Sequence, residues 1–331
     1  MGPGVTAHGG VSSSADLENR TSVGPEPPLA PARRATQRRL RANYELRRPP
    51  LSWASPGLLF VLLYFAAIVA GGWYAFTNWN GIDASAQVIG FANFSELFHD
   101  AVARGAIWHT FELTVGTVVL SNLIGLVLAV NLHRALKLRN VLRSIFFAPA
   151  ILSPLAVSYI WLYIFDTHGA LNWVLDGVGL GSLQHLWLGD PRTAVWAISV
   201  VMIWQFAGLC MVIYLAGLQS IPEELDEAAA IDGASAVRRF RRVTFPLLAP
   251  AMTVALTLPL IFSLRVFDQV IGLTQGGPAN ATETLATQVY EQTFGNARFG
   301  YGSALAVFMT LLVAVVAIAQ ASLLRAREAR L

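Results

Sequence analysis

The sequence predicts an all-α membrane protein with six transmembrane helices, and this prediction depends on its composition and on the distribution of its charges. Of its 331 residues, 55% are hydrophobic and 13% are charged, whereas a soluble domain carries roughly 25% charged residues. Six apolar intervals lie between the charge clusters, and each is long enough for the about 20 residues that a membrane-crossing helix needs. An unpaired backbone amide costs several kcal/mol in hydrocarbon, so these intervals are expected to be helical.

The first three intervals lie at residues 57–77, 110–132 and 144–165. Residues 1–50, which precede them, are rich in Gly, Pro, Ser and Arg and contain hardly any aliphatic run. Such a composition cannot bury enough apolar surface to offset the ordering of its backbone. We therefore predict a disordered basic cytoplasmic tail at 1–50 and a six-helix transmembrane domain at 51–331.

The last three intervals lie at residues 194–218, 245–264 and 301–324. A long, charged and strongly helical loop at 219–246 separates the first two of them. The loops on the opposite side of the membrane carry Asn, Asp, Gly and aromatic residues without the continuous pattern of a folded domain. Those loops could cap a pore or receive a partner.

The positions of the cations predict the orientation, because Lys and Arg of short loops stay on the cytoplasmic side. With the N-terminus inside, nineteen of the twenty-three cations fall in the N-terminal tail, the two inner loops and the C-terminus. The opposite side keeps Arg104, Arg192 and Arg298, and Arg265 lies at the outer end of the fifth interval. Both termini are therefore expected in the cytoplasm.

The inner loop at 219–246 carries the clearest local signals. Ser220 and Glu223 have the spacing of a capping box, with Pro222 between them, which predicts that a helix starts here. Gly233 is placed to end that helix in a left-handed conformation. A second short helix is expected to carry the arginines at 238–242 before Pro246 opens the fifth span.

One face of the first short helix contains Leu225, Ala228, Ala229 and Asp232, which are three or four residues apart. Two alanines on one face allow another backbone to come close, so this helix could be a surface that a soluble motor grips. The pattern alone fits a solvated loop equally well.

The same loop resembles a known family. Its run of Glu227-Ala228-Ala229, three residues, Gly233, nine residues and Val243-Thr244-Phe245-Pro246 is similar to the E-A-A-x-x-x-G-x(9)-I-x-L-P signature of binding-protein-dependent ABC importer permeases. Stretches at 147–172, 204–219 and 273–304 resemble the carbohydrate-uptake branch, in particular its maltose- and glycerol-phosphate-type first permease subunit. The resemblance covers nearly all of residues 55–325.

The resemblance implies the type I ABC importer permease (MetI-like) fold with a cytoplasmic coupling helix that sits in a cleft of an ATPase. It implies a second homologous permease subunit, two ATP-binding-cassette ATPase subunits, an extracytoplasmic solute-binding protein or lipoprotein, and a mono- or oligosaccharide or related polyol as the solute. It also implies location in a bacterial inner or plasma membrane. The residues that it implies for coupling to the ATPase are Glu227, Ala228, Ala229, Asp232, Gly233 and Pro246.

The chain is expected to be a transporter subunit without its own ATPase site. An ATPase of this kind needs a glycine-rich loop ending in Gly-Lys-Ser/Thr, and the single lysine, Lys137, stands in no such sequence. ATP and Mg would therefore be bound by the partner subunits. We expect no catalytic residues, no metal site and no nucleic-acid partner, because neither the residue clusters for such chemistry nor interleaved basic and aromatic residues occur.

Polar residues at membrane depth are costly, which makes them candidates to line a translocation path. Neutral hydrogen-bonding groups suit a hydroxyl-rich solute, although packing between helices explains each of them equally well. Near the outer end of the fifth span, Arg265 and Asp268 are able to pair with each other, and Glu112 is another possible partner for Arg265. The path candidates are Asn122, Ser158, Gln205, Ser263, Arg265, Asp268 and Gln269.

Two alternatives stay open from the residues alone. Trp161 and Trp204 lie within predicted spans, where they either pack or offer stacking platforms to a sugar. A proton- or sodium-coupled secondary transporter is the main rival function, but such a machine usually needs an ionisable relay inside the membrane. This chain has charges only at the ends of its spans, and the rival function leaves the elaborate inner loop unexplained.

Overall fold

The fold is given by a computed structural model that describes residues 55–133 and 137–328. Residues 1–65 and 66–331 form two separate units, and the described part of the first is the beginning of one helix. The tail predicted at 1–50 lies outside the described residues. Within the described ranges every regular element is a helix, and an isolated bridge between Thr77 and Val88 is the closest approach to a sheet.

The described residues form fourteen α-helices, which are numbered in chain order. They are α1 Ser55–Tyr74, α2 Ala92–His99, α3 Ala101–His133, α4 Arg139–Ile151, α5 Pro154–Ile164, α6 Ala170–Gly177, α7 Pro191–Gln219, α8 Glu223–Ile231, α9 Ala236–Arg239, α10 Phe245–Leu247, α11 Ala249–Leu264, α12 Asp268–Leu273, α13 Leu285–Tyr290 and α14 Phe299–Glu328.

Four of these helices, α1, α3, α7 and α14, are each long and apolar enough to cross a membrane. Two helix pairs are long and apolar enough only when taken together, and each is bent: α4 with α5 by 102°, and the segment 236–247 with α11 by 69°. Such a pair is either a broken span or a re-entrant loop. The all-α prediction is confirmed for the described part of the chain. The predicted number of six spans is reached when each bent pair is counted as one span.

Two long helices, α3 and α7, pack against each other along much of their length and form the centre of the described bundle. Gly125 allows this approach, because a Cβ atom at that position would lie 2.5 Å from the Cβ of Cys210 and 2.9 Å from the backbone N of Met211. Gly116 is on the same helix, but a Cβ there would find its nearest neighbours at 3.9 Å. Close contact is therefore required at one glycine and not at the other.

This difference predicts that Gly125→Ala destabilises the protein while Gly116→Ala does not. The new methyl group at 125 forces two backbones apart, and overpacking of this kind costs typically 1–3 kcal/mol. Thermal unfolding of the two purified variants checks the expectation: Gly125→Ala lowers the midpoint, and Gly116→Ala leaves it within the range of a neutral substitution. Equal midpoints for the two variants would contradict the packing described here.

The third predicted span, at 144–165, is not one helix but two. Helix α4 contains Pro149 and ends at Ile151, and Leu152 and Ser153 are extended, with ψ of 144° and 131°, before Pro154 begins α5. A proline has no N–H to donate and keeps the residue before it out of the helical region. Two prolines five residues apart therefore break a stretch that charge distribution alone marks as continuous.

The fifth predicted span, at 245–264, also begins differently. Pro246 lies in the short α10, and α11 starts at Ala249 after the 69° bend. The ring of Pro250 excludes the helical hydrogen bond that an N–H at that position would give to the carbonyl of Pro246. Pro246 thus precedes the bend and does not open the span.

The helix that contains the second predicted span is longer than the apolar interval at 110–132. Helix α3 begins at Ala101 and includes Arg104 and Glu112. An apolar interval limits the part of a helix that can lie in hydrocarbon, but the helix itself continues where side chains reach water. The result is about two and a half additional turns at the start of α3.

Candidate functional site

Helix α8, at the centre of the inner loop, does not begin with the predicted capping box. Pro222 is the residue before the helix, and no side chain caps it. The hydroxyl of Ser220 instead donates to the carbonyl oxygen of Gly217 at 2.8 Å, because Ser220 ends α7. The capping-box prediction is wrong, although the helix itself starts at Glu223.

The end of α8 follows the prediction made for Gly233. Its φ is +74°, in the left-handed region. The N–H of Gly233 donates to the carbonyl of Ala230 and the N–H of Ala234 to that of Ala229, both at 3.0 Å. This pair of bonds is the Schellman arrangement that glycine favours at a helix end. Asp232 is the last residue before the turn.

Helix α8 has two chemically different sides, and none of its residues is buried. Glu223, Asp226 and Glu227 line a cavity of about 390 Å³ between α8, α9 and the ends of α3 and α7. Helical spacing places Ala228 and Asp232 on the side that faces away from this cavity. Glu227, which precedes the two alanines in the signature, therefore lies on a different side of α8 from them.

An ion pair joins α8 to α9. The Nε of Arg239 lies 3.2 Å from Oδ1 of Asp226, although the N–H direction does not meet hydrogen-bond geometry. Of the four arginines at 238–242, Arg239 alone forms an ion pair within the described residues. The other three line a second cavity, on the other side of the segment.

Two candidates for the path, Gln205 and Gln269, contact each other across the break between α4 and α5. The Nε2 of Gln269 donates to Oε1 of Gln205 at 3.1 Å. The Nε2 of Gln205 in turn donates to the carbonyl oxygens of Pro149 and Leu152, each at 3.4 Å. Both glutamines are buried. Gln205 thus gives hydrogen bonds to two backbone carbonyls at the break, and Gln269 holds the Gln205 side chain through its oxygen.

Three other candidates are buried between helices. The Asn122 amide donates to Val118, and its oxygen accepts from the hydroxyl of Tyr214 at 2.8 Å, which joins α3 to α7. Ser158 donates to Pro154 at 2.8 Å, and its side chain leaves no room for a Cβ on Gly272. The Ser263 hydroxyl is buried without a hydrogen-bond partner in the described part of the chain.

The remaining candidates, Arg265 and Asp268, are exposed and line one cavity of about 270 Å³ together with Gln269. No ion pair joins Arg265 to Asp268 or to Glu112 within the described ranges. The guanidinium of Arg265 lies instead 5.9 Å from the ring centre of Phe262. The two opposite charges are thus free to meet a group that enters the cavity.

Trp161 and Trp204 pack against each other. Their rings meet edge to face with centres 5.6 Å apart, and Trp161 also contacts Phe165 at 5.0 Å. Trp204 keeps 40% of its surface exposed. Packing accounts for Trp161, and part of the Trp204 side chain stays accessible.

The sequence analysis missed a threonine network that holds the segment after α12 against α3. The hydroxyl of Thr284 donates to the carbonyl of Val266 at 2.9 Å, and the Thr110 hydroxyl accepts from the N–H of Leu285 at 3.0 Å. Thr287 donates to the buried carboxylate of Glu283. Threonine is common in membrane helices, so no signal in the sequence identified these partners, which are up to 175 residues apart.

A loop at the other end of α7 is fixed by Asn172. Its side-chain oxygen accepts from the indole N–H of Trp187 at 2.9 Å, and its amide donates to the carbonyl of His185 at 3.1 Å. Asp190 caps α7. The hydrogen bond from the backbone N–H of Arg192 to Asp190, followed by the one from His185, holds the pKa of Asp190 below its usual value.

Comparison with known proteins gives one family match. Residues 121–328 match the family described as "Binding-protein-dependent transport system inner membrane component". The matched range includes α8, the arginines that follow it, and all seven candidates for the path.

Two curated relatives are similar over most of the chain. The "Probable starch degradation products transport system permease protein AmyD" of Thermoanaerobacterium thermosulfurigenes is 37% identical over 275 residues, which cover 83% of this chain and 93% of that protein. The "Multiple sugar-binding transport system permease protein MsmF" of Streptococcus mutans is 34% identical over 268 residues, 81% of this chain and 92% of that protein.

A solved structure shares the fold. It is a chain of the "bacterial ABC transporter involved in the import of the acidic polysaccharide alginate", with a TM-score of 0.73 and 24% sequence identity. The alignment covers 86% of this chain and 98% of that one. At this identity the likeness concerns the fold alone.

Proposed function

This chain belongs to the family of binding-protein-dependent transport system inner membrane components, and from that premise we propose that it translocates a sugar through a bacterial inner membrane. The solute would be a mono- or oligosaccharide or a related polyol. Relatives named for starch degradation products and for multiple sugars support this class. The observation that carries the proposal is that these relatives are similar to about four fifths of this chain, including its inner loop.

The free energy for transport would come from ATP hydrolysis by two separate ATPase subunits that bind ATP and Mg. Helix α8 supports this assignment, since it is a defined helix with an abrupt end at Gly233 and no buried residue, and so offers a free surface beside the membrane. We propose that Ala228, Ala229 and Asp232 face the ATPase. Glu227, on the cavity side, would fix α8 to its own chain.

A second homologous permease and an extracytoplasmic solute-binding protein would complete the transporter. One solved structure of the alginate transporter contains a periplasmic protein with an alginate pentasaccharide bound. By analogy, the segments around α6 and α12 would receive such a protein, with both termini of this chain in the cytoplasm. This orientation is supported by the nineteen cations that it places inside.

The solute would pass beside the cavity at Arg265, Asp268 and Gln269. Two charges that have no ion-pair partner in the described ranges, next to a buried amide, can donate to and accept from hydroxyl groups. Asn122, Ser158, Gln205 and Ser263 are buried in contacts between helices. Their part would be to hold the helices that border the path.

Uptake by proteoliposomes tests the proposed function. The vesicles contain this chain, its second permease and its ATPase, and they receive the binding protein with a radiolabelled malto-oligosaccharide. We expect uptake that requires internal ATP and continues after proton and sodium gradients are collapsed. Uptake that needs an ion gradient and ignores ATP would establish the ion-coupled rival instead.

A further inference from the structure

Three arginines at the base of α11 form an unpaired basic cluster. Arg238, Arg241 and Arg242, with Ser235 and Val237, line a cavity of about 510 Å³. All five side chains are exposed. The three guanidinium groups form no ion pair within the described residues, whereas the neighbouring Arg239 is turned to the opposite side and pairs with Asp226. The cluster is therefore available to an anion.

The bend before α11 determines what the cluster faces. The segment 236–247 makes an angle of 69° with α11. When α11 crosses the bilayer near its normal, this segment runs along the membrane surface. Arginine side chains on such a segment lie at the level of the lipid headgroups, where anionic lipids of the cytoplasmic leaflet attract them.

Apolar side chains on the same segment agree with this location. Val237 is 69% exposed and Leu247 is 44% exposed in the described part of the chain. A helical segment with exposed apolar residues beside arginines is typical of elements that lie in the membrane interface. Water would satisfy the arginines but not the exposed apolar side chains, whereas the membrane interface suits both.

We propose that this cavity binds the headgroup phosphate of an anionic phospholipid from the cytoplasmic leaflet. The arginines donate N–H groups to the phosphate oxygens, a geometry for which the planar guanidinium is well suited. The Ser235 hydroxyl is a further donor, and Val237 contacts the start of the acyl chains. A lipid bound here ties the segment between α8 and α11 to the membrane surface. This inference goes beyond the proposed transport function and does not depend on the solute.

Native mass spectrometry of the purified, assembled transporter tests the site. Phosphatidylglycerol and phosphatidylcholine with the same acyl chains are added in turn, and the bound lipid is counted. We expect the native protein to prefer phosphatidylglycerol. Each arginine near an anionic surface contributes about 1 kcal/mol, roughly fivefold in affinity, so R238Q/R241Q/R242Q is expected to weaken this binding on the order of 100-fold.

A matched variant controls for charge. K137Q/R139Q/R325Q removes three exposed cations that do not line the cavity, and it is expected to keep the preference for phosphatidylglycerol. Where the triple variant at 238, 241 and 242 does not assemble, the three single substitutions are measured, with about fivefold weakening expected for each.

Three results would overturn the proposal. One is undiminished phosphatidylglycerol binding by R238Q/R241Q/R242Q or its single variants. Another is displacement of the lipid by excess inorganic phosphate, which would assign the cavity to a free anion. The third is loss of the ATPase subunits from the variant with lipid binding unchanged, which would assign the cluster to a protein contact.

Discussion

Charge reversal at Glu227 is expected to lower coupled transport at least about tenfold. Glu227 lines one cavity with Glu223, Asp226, Arg239 and His133, and Asp226 and Arg239 form the ion pair that joins α8 to α9. A lysine at 227 would repel Arg239 and compete with it for Asp226, which would loosen α8 from α9. A misplacement that costs about 1.4 kcal/mol lowers a rate tenfold, and we expect Glu227→Lys to lower sugar uptake by at least about that factor.

The measurement compares uptake and ATPase stimulation by the loaded binding protein in the same vesicles. Glu224→Lys is the matched control, because it makes the same change of charge on the same helix. Glu224 is exposed and does not line the cavity. We expect it to retain most activity. If Glu227→Lys transported at the native rate with normal ATPase stimulation, the assignment of Glu227 to coupling would be lost.

The presence of the membrane helices could be predicted from sequence, but their continuity could not. Long apolar intervals with few charges follow from the cost of burying charge, which every span shares. The break at Leu152 and Ser153 depends on two prolines and on an amide from Gln205, which lies 53 and 56 residues from the carbonyls that it contacts. A pattern read along one interval contains no information about such a partner.

In the inner loop as well, sequence predicted some features and not others, although the residues concerned are close together in the chain. Gly233 was predicted correctly because its signal is local: a left-handed residue must follow the last turn of the helix. Ser220 was assigned wrongly because two helix ends, those of α7 and α8, compete for one hydroxyl, and spacing alone does not decide between them. The position of Glu227 required the helices that form its cavity.

The roles of the path candidates could not be predicted either, because they too depend on partners that are distant in sequence. Polar residues inside spans were recognised because they are few, but their roles depend on which helix they face. Asn122 has Tyr214 as its partner, and Gln205 has Gln269. Arg265 and Asp268 remained possible partners of each other by spacing, and the structure leaves both unpaired within the described ranges. Their exposure in one cavity is what makes Arg265 the more informative site for an experiment.

Replacement of Arg265 by alanine is expected to reduce uptake without loss of stability. Arg265 is the single cation among the residues that line its cavity. It has no ion pair in the described part of the chain, so its removal leaves no buried charge uncompensated. The free energy of unfolding should therefore stay within about 0.5 kcal/mol of the native value. A lost charge-assisted hydrogen bond to solute or binding protein, about 1.5–3 kcal/mol, predicts a fall in uptake of at least about tenfold.

Arg192→Ala is the control for this variant, because Arg192 is an exposed arginine at the same predicted side of the membrane and lies outside the cavity. Uptake is measured over a range of concentrations of the loaded binding protein. A higher concentration for half-maximal uptake indicates a contact with that protein, whereas a lower maximal rate at saturation indicates a contact with the solute in transit. Native uptake by Arg265→Ala would exclude both and leave this arginine a residue of the membrane surface.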